Sequence, residues 1–276
     1  MSHFTVAVIT KTKPCYSDIE DILAPYSENL SVPEYVKETP EQYIQEKRKR
    51  DNEYLQSPTY KEYESDPKAY EEKYSKNPSH IEYIKKFKNE IYTMTDEELL
   101  KERKEMYPSY DSEREDYEEY LDKDGNLIST YNPKSKWDWW CIGGRWSDML
   151  PLKNGDNADE GQLKDINWGV DIDTNSLKKK YESRYNELIT KGDFYTPEYC
   201  KKRYPTLEDY IKAQETITTY AVIDEDGNWH EKGEMYYFGI TGATEQEELD
   251  WDNNYYTKFI KDRNPEYWVT IVDCHI

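Results

Sequence analysis

The chain has 276 residues and a formal net charge of −21, from 58 acidic and 37 basic side chains. Because phosphate groups are bound by clustered lysine and arginine, this balance argues against direct binding to nucleic acid or to an anionic membrane. Only 36% of the residues are hydrophobic, and that share includes 28 tyrosines. We therefore expect a small core for this length, built largely from aromatic side chains.

The cysteines and the N-terminal segment indicate a compartment. Cys15, Cys141, Cys200 and Cys274 lie far apart with no CxxC pair, which argues against a zinc ribbon or a disulfide scaffold and favours a reducing environment. The first residues lack the regions of a signal peptide, and no apolar run approaches the roughly 20 residues of a membrane span. We expect a cytoplasmic protein without membrane association.

The N-terminal segment, His3–Thr10, is β-branched and apolar on both faces, which is typical of a central strand. A short helix is predicted over Ser17–Leu23, with Ser17 and Glu20 spaced as a capping box. Val32–Lys37 predicts a further strand, weakened by its proline.

A run of short helices is predicted next. Successive segments open with a capping residue followed by proline, and Thr95 with Glu98 forms a capping box. The capping pairs are Thr39-Pro40, Ser57-Pro58, Asp66-Pro67, Asn77-Pro78 and, later, Thr196-Pro197. This pattern predicts a helical insertion over residues 40–121, inside a core domain of residues 1–39 and 122–276.

Two similar segments contain Asp-Gly-Asn between apolar runs, at Gly125 and Gly227. Asp-Gly is a strong hairpin signal, and the position of the glycine does not fit a calcium-binding EF-hand loop. We predict two hairpins that frame the tryptophan-rich segment described below. Met235–Ile240 predicts a strand and Trp251–Ile260 a helix.

The last segment, Trp268–Ile276, resembles the first in its β-branched, apolar character. We therefore predict an α+β fold in which both terminal strands pair within one antiparallel or mixed sheet, with the helical insertion attached to it. Antiparallel pairing would bring His3 close to Asp273 and His275, which alternate onto one face of the last strand. These three residues are candidate metal ligands or acid–base groups. A hydrogen-bonded sheet end without function is the alternative.

Four of the eight tryptophans fall between Trp137 and Trp146, together with a Gly-Gly pair and Arg145. The indoles either line one side of a small core, since aromatic residues are mostly buried, or form a recognition surface. The second interpretation is favoured by the prominence of tryptophan and arginine at protein interfaces. The candidate partner-binding residues are Trp137, Trp139, Trp140, Arg145 and Trp146. Arg145 is placed to stack on the neighbouring indoles. No phosphate-binding glycine motif is present.

Two other features of the sequence are candidate sites. Cys274 could act as a nucleophile, but its neighbour His275 points to the opposite face of a strand, so a buried inert thiol is favoured. The acidic stretch Asp111–Asp124 contains eight carboxylates. It is typical of a solvated face, and an acidic DNA mimic is the alternative hypothesis.

The MSHFT start, the KWDWWCIGGRW segment (Lys136–Trp146), the DEDGNWHEKGEM segment (Asp224–Met235) and the TIVDCHI end together resemble a family of bacteriophage and prophage proteins. The chain is also similar in character to the phage Gabija anti-defence proteins. That resemblance implies a non-enzymatic, oligomeric inhibitor in the host cytoplasm, without a cofactor, that covers a host defence nuclease complex. An enzyme or small-ligand binder using His3, Asp273 and His275 remains the opposing hypothesis.

Overall fold

The computed structural model describes residues 2–107, 119–236 and 240–276. Its helices are α1 Tyr16–Leu23, α2 Pro40–Gln56, α3 Pro58–Ser65, α4 Pro67–Lys73, α5 Pro78–Lys86, α6 Asp96–Met106, α7 Thr174–Lys191, α8 Pro197–Arg203, α9 Leu207–Glu215 and α10 Glu245–Phe259. Its strands are β1 His3–Thr10, β2 Tyr35–Glu38, β3 Glu119–Leu121, β4 Leu127–Ser129, β5 Trp139–Ile142, β6 Leu150–Pro151, β7 Asn157–Ala158, β8 Glu160–Gln162, β9 Ala221–Ile223, β10 Trp229–Glu231, β11 Met235–Tyr236, β12 Ile240–Thr241 and β13 Trp268–His275.

The chain divides into two compact units. The first comprises Met1–Leu30 with Lys134–Ile276, and the second comprises Ser31–Pro133. The second unit is wider than the predicted helical insertion of residues 40–121. It also contains a three-stranded sheet of order β2-β4-β3, whose strands flank the helices in sequence.

The first unit is built on a sheet of order β10-β9-β1-β13-β5, in which β8 also pairs with β13. The two terminal strands β1 and β13 are antiparallel over their whole length, from His3 opposite His275 to Thr10 opposite Trp268. β1 and β9 are parallel, and the remaining pairs are antiparallel. The predicted α+β fold with both terminal strands in one mixed sheet is confirmed.

Both faces of this sheet are covered, which explains why the terminal strands are apolar at successive positions. One face packs against α10 through a core that includes Ala7, Ile9, Val269, Ile271, Trp251, Tyr255 and Phe259. The other face packs against α1 through a core that includes Phe4, Val6, Val8, Val272, Cys274, Ile19 and Leu23. The charged and imidazole side chains of the two terminal strands, His3, Asp273 and His275, lie together at one end of the sheet.

The helices of the second unit begin where the capping pairs predict. The side chains of Thr39, Ser57, Asp66 and Asn77 each accept a hydrogen bond from a backbone N–H in the first turn, and a proline occupies the first helical position. The Thr95–Glu98 capping box is also present. One buried hydrophobic cluster of these helices comprises Tyr60, Tyr70, Ile84 and Phe87. Three of these four residues are aromatic, as the scarcity of aliphatic residues predicts.

Arg103 on α6 is almost fully buried, with 1% of its surface exposed. Its guanidinium donates to the carbonyl oxygen of Gly125 at 2.9 Å and to the carboxylate of Glu38 at 2.6 Å, and it lies 4.9 Å from the ring centroid of Tyr43. One arginine therefore joins α6, the end of β2, α2 and the Gly125 turn inside the second unit. No local pattern in the sequence predicts this role for Arg103.

Both Asp-Gly-Asn segments form hairpin turns, as predicted. The carboxylates of Asp122 and Asp224 accept hydrogen bonds from backbone N–H groups two and four residues later. Burial raises the pKa of Asp224, but hydrogen bonds from His230 and Asn228 outweigh this effect and hold it at about 2. The Gly227 hairpin belongs to the same sheet as β5 of the tryptophan segment, whereas the Gly125 hairpin belongs to the separate β2-β4-β3 sheet.

The ends of α1 and β2 differ from the prediction. α1 begins at Tyr16, and its capping interaction runs from the Cys15 backbone N–H to the carboxylate of Asp18 at 2.7 Å. The predicted capping box of Ser17 and Glu20 is therefore wrong, because the box that forms lies two residues earlier in the chain. β2 begins at Tyr35, two residues after Pro33, because proline offers no N–H to a strand ladder.

Two later elements also differ. The single strand predicted over Met235–Ile240 is instead the antiparallel pair β11 and β12, with residues 237–239 outside the described residues. α10 begins at Glu245 rather than at Trp251, because Thr244 and Glu247 form a capping box upstream of the apolar positions. The apolar residues on which the prediction rests begin only at Trp251, in the part of the helix that is buried.

Candidate functional site

A polar cluster lies at one end of the first unit's sheet. The pairing of β1, β13 and β5 places His3 opposite His275, and His275 opposite Trp139. We call this group the sheet-end cluster, and it consists of His3, Asp138, Trp139, Arg145, Asp273 and His275. The predicted approach of His3 to Asp273 and His275 is confirmed, since all three side chains lie on one face of the sheet.

Each histidine of the cluster is paired with its own carboxylate. Nδ1 of His3 lies 2.8 Å from Oδ1 of Asp273, and Nδ1 of His275 lies 2.5 Å from Oδ1 of Asp138. An ionised carboxylate can only accept, so both rings donate from Nδ1. The two imidazole centroids are 5.0 Å apart with their planes at 71°. Asp273 is therefore the hydrogen-bond partner of a histidine rather than a group left open for a ligand.

The pairing leaves Nε2 of His275 buried and without a hydrogen-bond partner in the described part of the chain. A buried polar atom of this kind is a common place for a bound water or ion. Within residues 2–107, 119–236 and 240–276, however, no three His, Cys, Asp or Glu side chains are placed to hold a metal ion. The arrangement offers two imidazoles oriented by carboxylates, and it does not offer a complete ligand set.

The Gly-Gly pair of the tryptophan segment shapes the cluster. Gly143 and Gly144 have φ values of +68° and +58°, in the left-handed region that favours glycine. The turn lets the backbone N–H of Arg145 donate to Oδ2 of Asp273 at 2.9 Å. A Cβ atom on Gly144 would lie 2.4 Å from that same oxygen. The turn thus holds a carboxylate that is only 2% exposed.

The four indoles of the segment have different environments. Trp137 is buried at 9% exposure and donates from Nε1 to the carbonyl oxygen of Leu23 at 3.2 Å. Trp140 stacks on Tyr16 with centroids 4.9 Å apart, and Trp146 packs at the margin of the core under α10. The contacts of these three indoles hold the tryptophan segment against the rest of the first unit. Trp137 is too deeply buried to contact a partner.

Trp139 and Arg145 are exposed. Trp139 has 51% of its surface exposed and lies on β5, an edge strand of the sheet. The Arg145 guanidinium has no carboxylate partner among the described residues, although acids outnumber bases in this chain by 21. The predicted stacking of Arg145 on the indoles is not found in the described part of the chain; its backbone, rather than its side chain, joins the cluster.

The cysteines close to the cluster are not activated. Cys274 is fully buried on the sheet face opposite to His275, and burial raises its pKa well above the usual value. The pKa of the Cys141 thiol is raised by burial and by the carboxylates of Asp273 and Asp159. Because the thiolate is the nucleophile, neither residue is suited to covalent chemistry. The favoured interpretation of Cys274 as a buried inert thiol agrees with this geometry.

Asp138 is the cluster residue that the sequence analysis missed. It lies inside the tryptophan segment, but its partner His275 is 137 positions away, and no spacing connects them. Most of the acidic stretch Asp111–Asp124, on which the DNA-mimic hypothesis rests, lies outside the described residues.

The helices of the described residues include none with the length and apolar character required to cross a membrane. Comparison of the chain with models of known protein families, with curated proteins and with solved structures finds no match.

Proposed function

We propose that the chain binds a protein partner through the surface around Trp139 and Arg145, and that the partner is a host defence nuclease complex, which the chain covers and inhibits. The observation that carries the proposal is a half-exposed indole on the edge strand β5, followed on the turn after that strand by an exposed guanidinium with no carboxylate partner among the described residues. Tryptophan and arginine are the residue types that most often dominate the free energy of binding at interfaces.

The construction around these two residues supports the proposal. Trp137 and Trp140 are packed into the body of the unit, and the Gly143-Gly144 turn fixes the backbone of Arg145 against Asp273. The surface is therefore pre-organised, which lowers the entropy that binding must remove. Edge strands also offer free backbone groups to a strand of a partner. In this proposal the chain needs no cofactor and performs no catalysis.

The choice of a defence nuclease as the partner rests on the resemblance to phage proteins. The net charge of −21 is compatible with it, since an acidic protein is attracted to the basic surfaces that nucleases use for DNA. Such a protein acts in the host cytoplasm.

A binding titration with a purified Gabija nuclease complex tests the proposal. We expect the wild-type chain to bind, and the double variant Trp139→Ala, Arg145→Ala to bind at least about 30-fold more weakly, because each side chain has the character of an interface hot spot. The control is Met106→Ala, Arg50→Ala, which removes an exposed apolar side chain and an exposed cation from the second unit. Equal binding by the two double variants would contradict the proposed surface.

The paired histidines favour a second candidate function, a metal- or small-ligand-binding enzyme. Histidines that bind metals generally donate their other ring nitrogen to a carboxylate, as His3 and His275 do. In that case the purified protein retains a stoichiometric transition metal, and His275→Ala releases it while His230→Ala does not. Metal analysis that finds no bound metal in the wild-type protein after zinc loading and desalting would remove this candidate.

A further inference from the structure

One edge of the first unit's sheet has room for another strand. β5 lies at the end of the strand order β10-β9-β1-β13-β5 and, among the described strands, pairs with β13 alone. An edge strand presents backbone N–H and C=O groups that no neighbouring strand satisfies. The register of β5 decides which of its residues present them.

The register directs the backbone groups of Ile142 away from the sheet. In an antiparallel pair, residues opposite each other alternate between those that exchange hydrogen bonds and those whose N–H and C=O groups point outward. Ile142 lies opposite Val272, and the N–H of the following residue, Gly143, donates to the carbonyl oxygen of Ile271 at 2.9 Å. Ile142 therefore belongs to a pair of the second kind.

The same alternation assigns the two residues before Ile142. Cys141 exchanges hydrogen bonds with β13, and the N–H and C=O groups of Trp140 point outward. Within the described ranges, neither Trp140 nor Ile142 has a backbone hydrogen bond to a group outside the sheet, and both residues are partly exposed. The edge thus offers two N–H and two C=O groups, which are the groups that an added strand uses.

The fold already places an extended segment on this side, just before β5. Ser27 forms a parallel bridge with Trp137. The N–H of the next residue, Asp138, donates in the other direction, to the carbonyl oxygen of His275 on β13 at 3.0 Å. The Ser27 segment therefore lies on the side of the strand that faces away from β13. A strand added beside β5 would continue an arrangement that the chain itself uses.

The side chains along this edge indicate the chemistry of the added strand. Trp139 is half exposed on β5. Arg145 follows three residues after Ile142, is exposed and has no carboxylate partner among the described residues. Aromatic side chains pair favourably with apolar neighbours on an adjacent strand, and a free guanidinium binds a carboxylate. The occupant that fits is an extended segment with an apolar and an acidic residue.

We infer that the protein partner contributes an extended acidic segment, which adds to the sheet beside β5. Its backbone is hydrogen-bonded to Trp140 and Ile142, and one of its carboxylates pairs with Arg145. The inference rests on the proposed function, since it takes the partner to bind at this surface, and it adds the mode of binding. A partner that contacts only the side chains of Trp139 and Arg145 is the alternative outcome.

Proline at position 142 separates strand addition from side-chain contact. Ile142→Pro removes the outward N–H but keeps the hydrogen bonds to β13, because proline is tolerated on an edge strand where its nitrogen faces outward. Ile142→Ala is the matched control, since it loses the same side chain and keeps the N–H. In a titration with the purified Gabija nuclease complex, we expect Ile142→Pro to bind about 10-fold or more weakly than Ile142→Ala, the effect of losing one intermolecular hydrogen bond or more. Equal binding by these two variants overturns the inference.

The charge of the segment is tested at Arg145. We expect Arg145→Glu to bind the nuclease complex more weakly than Arg145→Ala, because a carboxylate at this position repels an acidic segment. Equal binding by Arg145→Glu and Arg145→Ala overturns the assignment of an acidic segment.

Hydrogen exchange of the wild-type chain provides a test that needs no variant. In the free chain, we expect the outward N–H of Ile142 to exchange faster than the N–H of Cys141, which is bonded to β13. In the nuclease complex, the N–H groups of Trp140 and Ile142 become protected. Exchange at Ile142 that stays fast in the saturated complex overturns strand addition.

The inference and the proposed function fail in different ways. If Trp139→Ala, Arg145→Ala weakens binding while Ile142→Pro does not, the surface stands and strand addition is wrong. If the wild-type chain does not bind the complex, or if the double variant binds as well as the wild-type chain, the proposed function fails and this inference fails with it.

Discussion

Replacing Gly144 by alanine is expected to destabilise the first unit by about 3 kcal/mol or more, which combines left-handed backbone strain with overpacking. The new Cβ atom would lie 2.4 Å from Oδ2 of Asp273 and 2.5 Å from its Cβ atom. Asp273 lies on the central strand β13, so either the strand or the turn must move. Urea unfolding followed by tryptophan fluorescence measures the loss.

Gly155→Ala is the matched control. Gly155 has a φ of +95°, but no atom lies within 4 Å of a Cβ atom built there. Its substitution carries only the backbone strain, about 1 kcal/mol. If both variants lost the same free energy of unfolding, the close contact between the turn and Asp273 would not contribute to stability.

Arg103→Met is expected to destabilise the second unit by about 3 kcal/mol, because breaking a buried ion pair leaves its partners without compensation. The substitution keeps an unbranched chain in the space but leaves the carboxylate of Glu38 and the carbonyl oxygen of Gly125 without their donors. Hydrogen exchange in peptides of α6 and the β3–β4 hairpin, measured on the full chain, reports the change for this unit separately.

The control for Arg103 is Arg50→Met, at an exposed position on α2. Exposed substitutions of this kind usually change stability by less than about 0.5 kcal/mol. Faster exchange confined to the Arg103 variant supports its role as the residue that joins the elements of the second unit. Unchanged exchange in that variant would contradict the role.

Local signals in the sequence predicted much of the fold. The pairing of the terminal strands followed from their β-branched, apolar composition, and the helix starts followed from capping residues before proline. These signals work because strand burial and helix capping depend on residues close together in sequence. Capping failed at α1, where Asp18 rather than Glu20 closes the box with the residue before the helix.

The candidate site was only partly predictable. The register of β1 and β13 brought His3 to Asp273 as expected, but the pairing of His275 with Asp138 depends on β5 joining the far side of β13. The same strand pairing decides which indoles are buried, so composition could not separate Trp137 from Trp139. Arg103 was missed because its partners come from three distant segments.

The proposed inhibition is tested most directly by DNA cleavage by a purified Gabija nuclease complex in the presence of increasing amounts of this protein. We expect cleavage to fall as the wild-type chain saturates the complex, and we expect the variant Trp139→Ala, Arg145→Ala to need at least about 30-fold more protein for the same effect. Full cleavage at saturating wild-type protein, or equal inhibition by this double variant, would contradict it.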